Sequence, residues 1–219
     1  MFHVKPTDHS DSITPSVPNE AQGVFSVSLP TAVAYAELLA TDGIVRGLIG
    51  PREVPRLWER HLLNCAVLTD LVDEGSTVCD IGSGAGLPGL VMAIRRPDLD
   101  VTLVEPLLRR TTFLEEAVEA LGLTNVEVVR ARAEEVHGTR SFDVVTSRAV
   151  APLERLSGWS LPLVRTGGSF LAMKGSSAEA ELAVAARAIN KGRGRLVGIL
   201  EVGAEVLGTP VRVVKIVKT

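Results

Sequence analysis

The stretch Val78–Leu90, VCDIGSGAGLPGL, decides the fold. An apolar run enters it, and Gly82, Gly84, Gly86 and Gly89 then fall within eight residues. Glycine tolerates positive φ and lets another group approach the backbone closely. A strand, a tight loop and a helix are therefore expected in that order. The inner window Gly84–Gly89, GAGLPG, satisfies G-x-G-x-x-G, the pattern of dinucleotide binding. In that pattern the first glycine follows the strand at once and the helix N-terminus holds a pyrophosphate. Here the strand ends at Asp80-Ile81, Gly84 comes three residues later, and Asp80 would repel a pyrophosphate.

Counted from Gly82 instead, the pattern is Asp80-x-Gly82-x-Gly84-x-Gly86. That register suits a phosphate-free ligand with a positive end, and S-adenosylmethionine, with its α-amino group and sulfonium, is one. Gly82, Ser83, Gly84 and Gly86 would cradle the methionine portion, and Asp80 would hold the amino group directly or through water. Such turns recur across α/β proteins, so the loop alone does not single out one ligand.

Downstream, strands are expected over Thr77–Ile81, Val101–Glu105, Val126–Arg130, Phe142–Ser147 and Ser169–Lys174. Helical patterns lie near 87–95, 107–121, 152–164 and 176–190, with a short turn near 133–136. That alternation calls for a parallel sheet covered on both faces. Two last strands, 195–202 and 210–217, lack a helical pattern between them and read as a hairpin, one strand antiparallel at the edge. The expected fold is Rossmann-like α/β, with a mostly parallel seven-stranded sheet. Upstream, residues 1–23 are polar and rich in Pro and Ser and are expected to be a disordered tail. Residues 24–75 read as a helical extension, with helices over 30–48 and 53–73, ahead of a catalytic domain at 76–219.

Ligands of open α/β sheets bind beyond the carboxyl ends of the strands. The residues there are Asp80 to Gly86, Glu105, Arg132 to Glu134, Ser147-Arg148 and Lys174-Gly175. Glu105 can accept both ribose hydroxyls of an adenosine, in a dinucleotide or a methyl-donor site alike. It can equally cap the next helix, with Pro106 at its first position. Past the fourth strand, FDVVTSRAVAPL (142–153) holds neither an Asn/Asp-Pro-Pro-aromatic segment nor a cysteine nucleophile. It offers Ser147 and Arg148, and Lys174 follows the fifth strand. A basic site without cysteine suits an acceptor that is already nucleophilic, such as guanine N7. Alignment and electrostatics would then carry in-line transfer.

Composition sets outer limits. The chain has 219 residues, a net charge of −3 and 46% hydrophobic residues, which suits one globular body. Its two cysteines, Cys65 and Cys79, form no zinc or disulfide spacing, so no metal is expected and a reducing cytoplasm fits. Neither a signal peptide nor a membrane span is expected. The acidic balance speaks against an obligate nucleic-acid binder. Yet seven basic residues face two acids between Ala183 and Thr219, a local balance of +5 that includes Lys191, Arg193 and Arg195. With Arg46, Arg52, Arg56 and Arg60, this leaves room for a phosphate-bearing partner.

Together the segments DIGSGAGLPG (80–89), RRPDLDVTLVEP (95–106), RRTTFLEEAVEALGLTNVEVV (109–129), RARAEEV (130–136), FDVVTSRAVAPL (142–153) and LAMKG (171–175) resemble the RsmG (GidB) family of bacterial small-subunit rRNA methyltransferases. The resemblance covers roughly residues 44–190. It implies a class I S-adenosylmethionine-dependent methyltransferase fold and N7 methylation of one guanine in 16S rRNA, with naked rRNA or the small subunit as partner. By position it implies cofactor contacts at Gly82, Leu87, Ala133, Glu134 and Arg148, with Glu105 at the ribose and Pro106 beside it in the cofactor site. Arg148 and Lys174 become the catalytic candidates. Arg60 and His61, in WERHLLNCA (58–66), fall at the active-site rim, and Lys174, Arg109 and Arg110 become RNA contacts alongside Lys191, Arg193 and Arg195. The chain departs from the family with Gly47-Leu48-Ile49 for Asn-Leu-Thr, Asn64-Cys65 for Asp-Ser, and Glu105 where many relatives carry Asp. A monomer is expected. Two other readings stay open: a methyltransferase of this fold acting on a small molecule or protein, and a non-enzymatic nucleotide-binding module.

Overall fold

A computed structural model describes residues 15–219. Seven strands form one sheet in the order β3-β2-β1-β4-β5-β7-β6. They are β1 (Thr77–Ile81), β2 (Asp100–Val104), β3 (Val126–Val129), β4 (Phe142–Arg148), β5 (Val164–Lys174), β6 (Gly194–Val202) and β7 (Val211–Lys218). The pairs β1–β2, β2–β3, β1–β4 and β4–β5 are parallel. Strand order reverses at β1, so a crevice opens beyond the carboxyl ends of β1 and β4.

Both faces are covered, as the apolar runs require. Side chains alternate across a strand: Val78 joins the core on one face, Cys79 and Ile81 the core on the other. In β5, Leu171 and Met173 face one side and Phe170 and Ala172 the other. Helices Leu153–Ser160 and Ala178–Lys191 supply Leu156, Ala185 and Ile189 to the second face. The first face receives Leu90 and Phe113 together with Tyr35, Leu39, Leu57 and Leu62 from the N-terminal segment. The boundary near residue 75 thus divides the chain but not the core.

Several expectations need correction. Most of the expected tail, residues 1–14, lies outside the described residues, but residues 19–23 belong to helix Asn19–Phe25. Ala21, Val24 and Phe25 are buried there, so this short apolar pattern has a face to cover. Phe25 packs edge-on against Trp58, ring centroids 6.1 Å apart. The segment 53–73 is not one regular helix. It passes from a 3₁₀ stretch (Pro51–Arg56) through a wide i→i+5 turn (Leu57–Leu63) to Asn64–Ala66 and a last 3₁₀ turn (Val67–Leu71). Pro55 lacks the N–H that a regular helix would need.

The antiparallel strand is not at the edge. β7 lies between β5 and β6 and runs against both. Its Val213, Val214 and Ile216 are fully buried, whereas the edge strand β6 exposes Leu196 and Val197. A short helix, Ala204–Leu207, interrupts the expected hairpin. The helical stretch Asn19–Val45 is long and apolar enough to cross a membrane by length and composition. Its Ala32, Tyr35 and Leu39 are spent on the protein core instead, each with no exposed surface.

Candidate active site

The loop after β1 takes left-handed backbone at Gly82 (φ 67°), Gly84 (φ 59°) and Gly86 (φ 96°). At Gly82 and Gly86 there is no room for a side chain. A Cβ at Gly82 would stand 2.8 Å from Val150 Cγ2, and one at Gly86 would stand 2.9 Å from the Tyr35 hydroxyl. That hydroxyl donates to the Ala85 carbonyl at 2.6 Å, so helix Leu29–Ala40 supports the loop from below. At β4, the buried Ser147 hydroxyl donates to the Ile81 carbonyl at 3.0 Å and ties the two strand ends together.

Two grooves meet here. The first, about 580 Å³, is walled by Gly82–Ala85, Leu87, Glu105, Pro106, Arg110 and His61. Glu105 is buried, and its carboxylate accepts from the Gly84 and Leu107 N–H groups, each at 3.1 Å. The second, about 920 Å³, lies toward β5 and β7 and takes in Arg56, Arg60, Asn64, Lys174 and Arg212. Arg148 and Ala149 line both grooves and form the junction between them. Ala149 has φ 56°, a strained value for a residue with a Cβ.

Arg148 is held from the N-terminal segment. Its guanidinium donates to His61 Nδ1 at 2.5 Å and to Cys65 Sγ at 3.2 Å. Because arginine only donates, His61 accepts through Nδ1 and carries its proton on Nε2, which lies 2.9 Å from Glu53 Oε2. Burial, and then the nearby Arg148, keep His61 below its ordinary pKa and so neutral. Burial raises both cysteine thiols, and neither lines a groove.

The expected site residues separate into groups. Gly82, Ser83, Gly84, Leu87, Glu105, Pro106 and Arg148 come together at the first groove, with Gly86 in the same loop. Asp80 does not reach it. Its side chain is fully buried beneath the loop, where Oδ2 accepts from Gly89 N–H at 3.0 Å and Oδ1 has no partner. Ala133 is buried and Glu134 exposed at the start of helix Ala133–Val136, and neither lines the groove. Lys174 lines the second groove, but its amino group is engaged by the Ala151 carbonyl (2.8 Å) and Glu181 (2.7 Å). It therefore pins the loop after β4 and has little freedom to reach a substrate. Arg110 pairs with Glu105 at 3.4 Å, while Arg109 is exposed.

Lys191, Arg193 and Arg195 belong to neither groove. Arg195 pairs with Val217 and Val217 with Ser169, whereas the groove end of the same strands is marked by Lys174 opposite Arg212. The basic tract therefore sits at the far end of the sheet. Neutralising these three residues should leave turnover near that of the unaltered protein. Arg56→Gln and Arg60→Gln, in the second groove, should instead weaken binding to a polyanion and flatten its salt dependence. Titration of each variant against RNA at increasing salt checks this.

Tyr35, Glu53 and Glu181 support the site from outside its sequence motifs. Tyr35 is the only tyrosine in the chain and lies in a largely apolar helix, a visible sign of a buried polar contact. Glu53 and Glu181 gave no sign, because their roles depend on partners brought in by folding.

Asp80 also marks a pH response. Burial pushes its carboxyl up from 3.8 to about 7. Between those values the folded protein keeps a proton that the unfolded chain has lost. Stability from this group therefore falls as pH rises through the window and levels off above it. Asp80→Asn should remove that decline, so urea midpoints of the two proteins should diverge from pH 4 to pH 7. Parallel midpoints would show that Asp80 ionises freely.

The architecture and glycine loop define a class I methyltransferase fold. The chain is similar to a SAM-dependent methyltransferase from Aquifex aeolicus, at TM-score 0.55 and 19% identity over 78% of this chain and 98% of that one. It is likewise similar to Aeropyrum pernix fibrillarin, solved with natively bound S-adenosyl-L-methionine, at TM-score 0.54 and 16% identity over 73% and 75% of the two chains. A protein-family model described as GidB, rRNA small subunit methyltransferase G, matches residues 28–205. Ribosomal RNA small subunit methyltransferase G of Thermobifida fusca is 55% identical over 96% of this chain and 88% of that protein. Its counterpart in Streptomyces coelicolor is 60% identical over 91% and 85%. The chain belongs to the rRNA small subunit methyltransferase G family.

Proposed function

We propose that this protein methylates N7 of one guanine in the 16S rRNA of the small ribosomal subunit, with S-adenosylmethionine as donor. The observation that carries the acceptor atom is the state of the bases at the junction. Both His61 nitrogens are engaged, the cysteine thiols are buried and protonated, and Arg148 only donates. A junction so furnished suits an atom with a free lone pair and no proton to lose, and guanine N7 is such an atom. An exocyclic amine or a cytosine carbon would ask for a base or a thiolate.

The first groove fits the donor. Gly82 and Gly86 form a cradle that a Cβ would fill. Glu105, on the wall of the same groove, offers a carboxylate to ribose hydroxyls. When bound, the donor supplies a methyl group already activated by its sulfonium. The chain's own residues position and shield: the glycine loop orients one partner, the arginines of the second groove bind RNA phosphate, and Arg148 aligns the acceptor at the junction. No covalent enzyme intermediate forms. The reading carries with it a monomer in the cytoplasm, away from membranes. Among the described residues no cluster of three His, Cys, Asp or Glu side chains is arranged to hold a metal.

Incubating unmodified small subunits with labelled donor, followed by mapping of the label, tests the proposal. The expected result is label at a single guanine, at a position cleavable as N7-methylguanine. Label on an amine or ring carbon would overturn the acceptor, and preference for NAD in calorimetric titration would overturn the donor site.

A further inference from the structure

We propose that Glu53 is a positioning residue which, by fixing the tautomer of His61, holds Arg148 in place at the junction of the two grooves. The inference rests on the methyl-transfer reading above and adds a residue outside both grooves to it.

The chain of contacts is short. Glu53 Oε2 lies 2.9 Å from His61 Nε2, and His61 Nδ1 lies 2.5 Å from the Arg148 guanidinium. A neutral imidazole carries one proton, and which nitrogen bears it is set by the partner of the other nitrogen. With the proton on Nδ1, a donor would face the donors of Arg148 and the contact would be repulsive. The carboxylate at Nε2 selects the other tautomer and leaves Nδ1 free to accept. The backbone supports this arrangement. The wide turn Leu57–Leu63 carries His61 inward, with only 8% of it exposed, while the neighbouring Arg60 points outward to the same Glu53. Cys65, one turn on, takes a second guanidinium N–H. Arg148 is thus braced by two side chains of the N-terminal segment, and Glu53 orders the first of them.

The groups around His61 give the contact a pH dependence of known sign. Glu53 and Arg60 face it from its own segment, and Arg148 faces it from β4. Cys65, Asp80 and Tyr35 surround the guanidinium. As pH falls, His61 gains a second proton on Nδ1, Arg148 loses its acceptor and meets a like charge, and turnover drops. Glu53 favours the protonated ring, so removing its charge moves this acid limb to lower pH.

The test compares Glu53→Ala and Glu53→Gln in single-turnover transfer to small subunits across pH, with the His61 ring nitrogens followed by NMR in each protein. Alanine should lower the transfer rate roughly 10- to 100-fold, the range seen when a metal-bound histidine loses the partner that fixes its tautomer. Donor affinity and KM for subunits should stay near those of the unaltered protein. Glutamine keeps an acceptor at Nε2, so it should recover most of the rate and shift the acid limb downward. NMR should show His61 protonated at Nε2 in the unaltered and glutamine proteins, and a tautomer mixture in the alanine protein. An unchanged rate in Glu53→Ala, an acid limb that does not move in Glu53→Gln, or an Nδ1–H tautomer in the unaltered protein would overturn the assignment. If the unaltered protein transfers no methyl to rRNA, the proposed function fails instead. The NMR comparison then still decides whether Glu53 sets the tautomer.

Discussion

Arg148→Ala should lower the rate of methyl transfer to small subunits by about 10²- to 10³-fold, the usual cost of removing a preorganised donor from a reacting centre. Arg148 is the charged side chain that lines both grooves, and it is anchored on His61 and Cys65. Its alignment is set before any substrate arrives, so its loss should act on the chemical step more than on binding. Donor affinity should change little, because the glycine loop and Glu105 do not depend on Arg148 for their geometry. Arg148→Lys should not rescue the rate, since an ammonium cannot reach both anchors and the acceptor in one plane. Calorimetry for the donor and single-turnover transfer to subunits separate the two effects. A variant that loses donor binding but transfers normally at saturating donor would assign Arg148 to the cofactor alone.

Gly86→Ala should destabilise the fold by roughly 2–5 kcal/mol, joining the cost of left-handed backbone to that of an overfilled site. The new Cβ would stand 2.7 Å from Leu90 Cγ and 2.9 Å from the Tyr35 hydroxyl. Neither neighbour can retreat, because both are fully buried in one core. Gly84→Ala is the control. It shares the left-handed backbone, but its Cβ meets nothing nearer than the Gly82 carbonyl oxygen at 3.8 Å. It should therefore cost about 1–2 kcal/mol, the backbone part alone. Urea unfolding of the two variants checks the difference, and equal losses would mean that the packing around Gly86 relaxes freely.

What could be read from the sequence was what depends on local pattern. The register of the glycines, the alternation of strands and helices, and the strand-end positions of Glu105 and Arg148 are set by neighbours in the chain, and the folded protein keeps them. Asp80, Lys174 and Lys191 to Arg195 went differently, for reasons that only tertiary structure supplies. Asp80 turns under its own loop toward Gly89. Lys174 meets Glu181, which lies on the following helix Ala178–Lys191. The basic tract reads as one cluster near the carboxyl end of the chain, but the direction of β6 places it away from the grooves. The same holds for the N-terminal segment. Its helical pattern was legible, but the wide turn that brings His61 to Arg148 was not, because a period of one, three or four residues does not distinguish a regular helix from a distorted one.

The position of β7 bears on how the protein comes into being. It is the last of the seven strands to leave the ribosome, yet it lies inside the sheet and joins β5 to β6. Until it arrives, both of those strands have an open edge and the pairing of Lys174 with Arg212 cannot form. The sheet therefore closes only after synthesis has passed Lys218. A chain cut short before Val211 would carry an intact glycine loop, but β6 would be unpaired and β5 open along one side, making it a target for aggregation or proteolysis rather than a weakened enzyme.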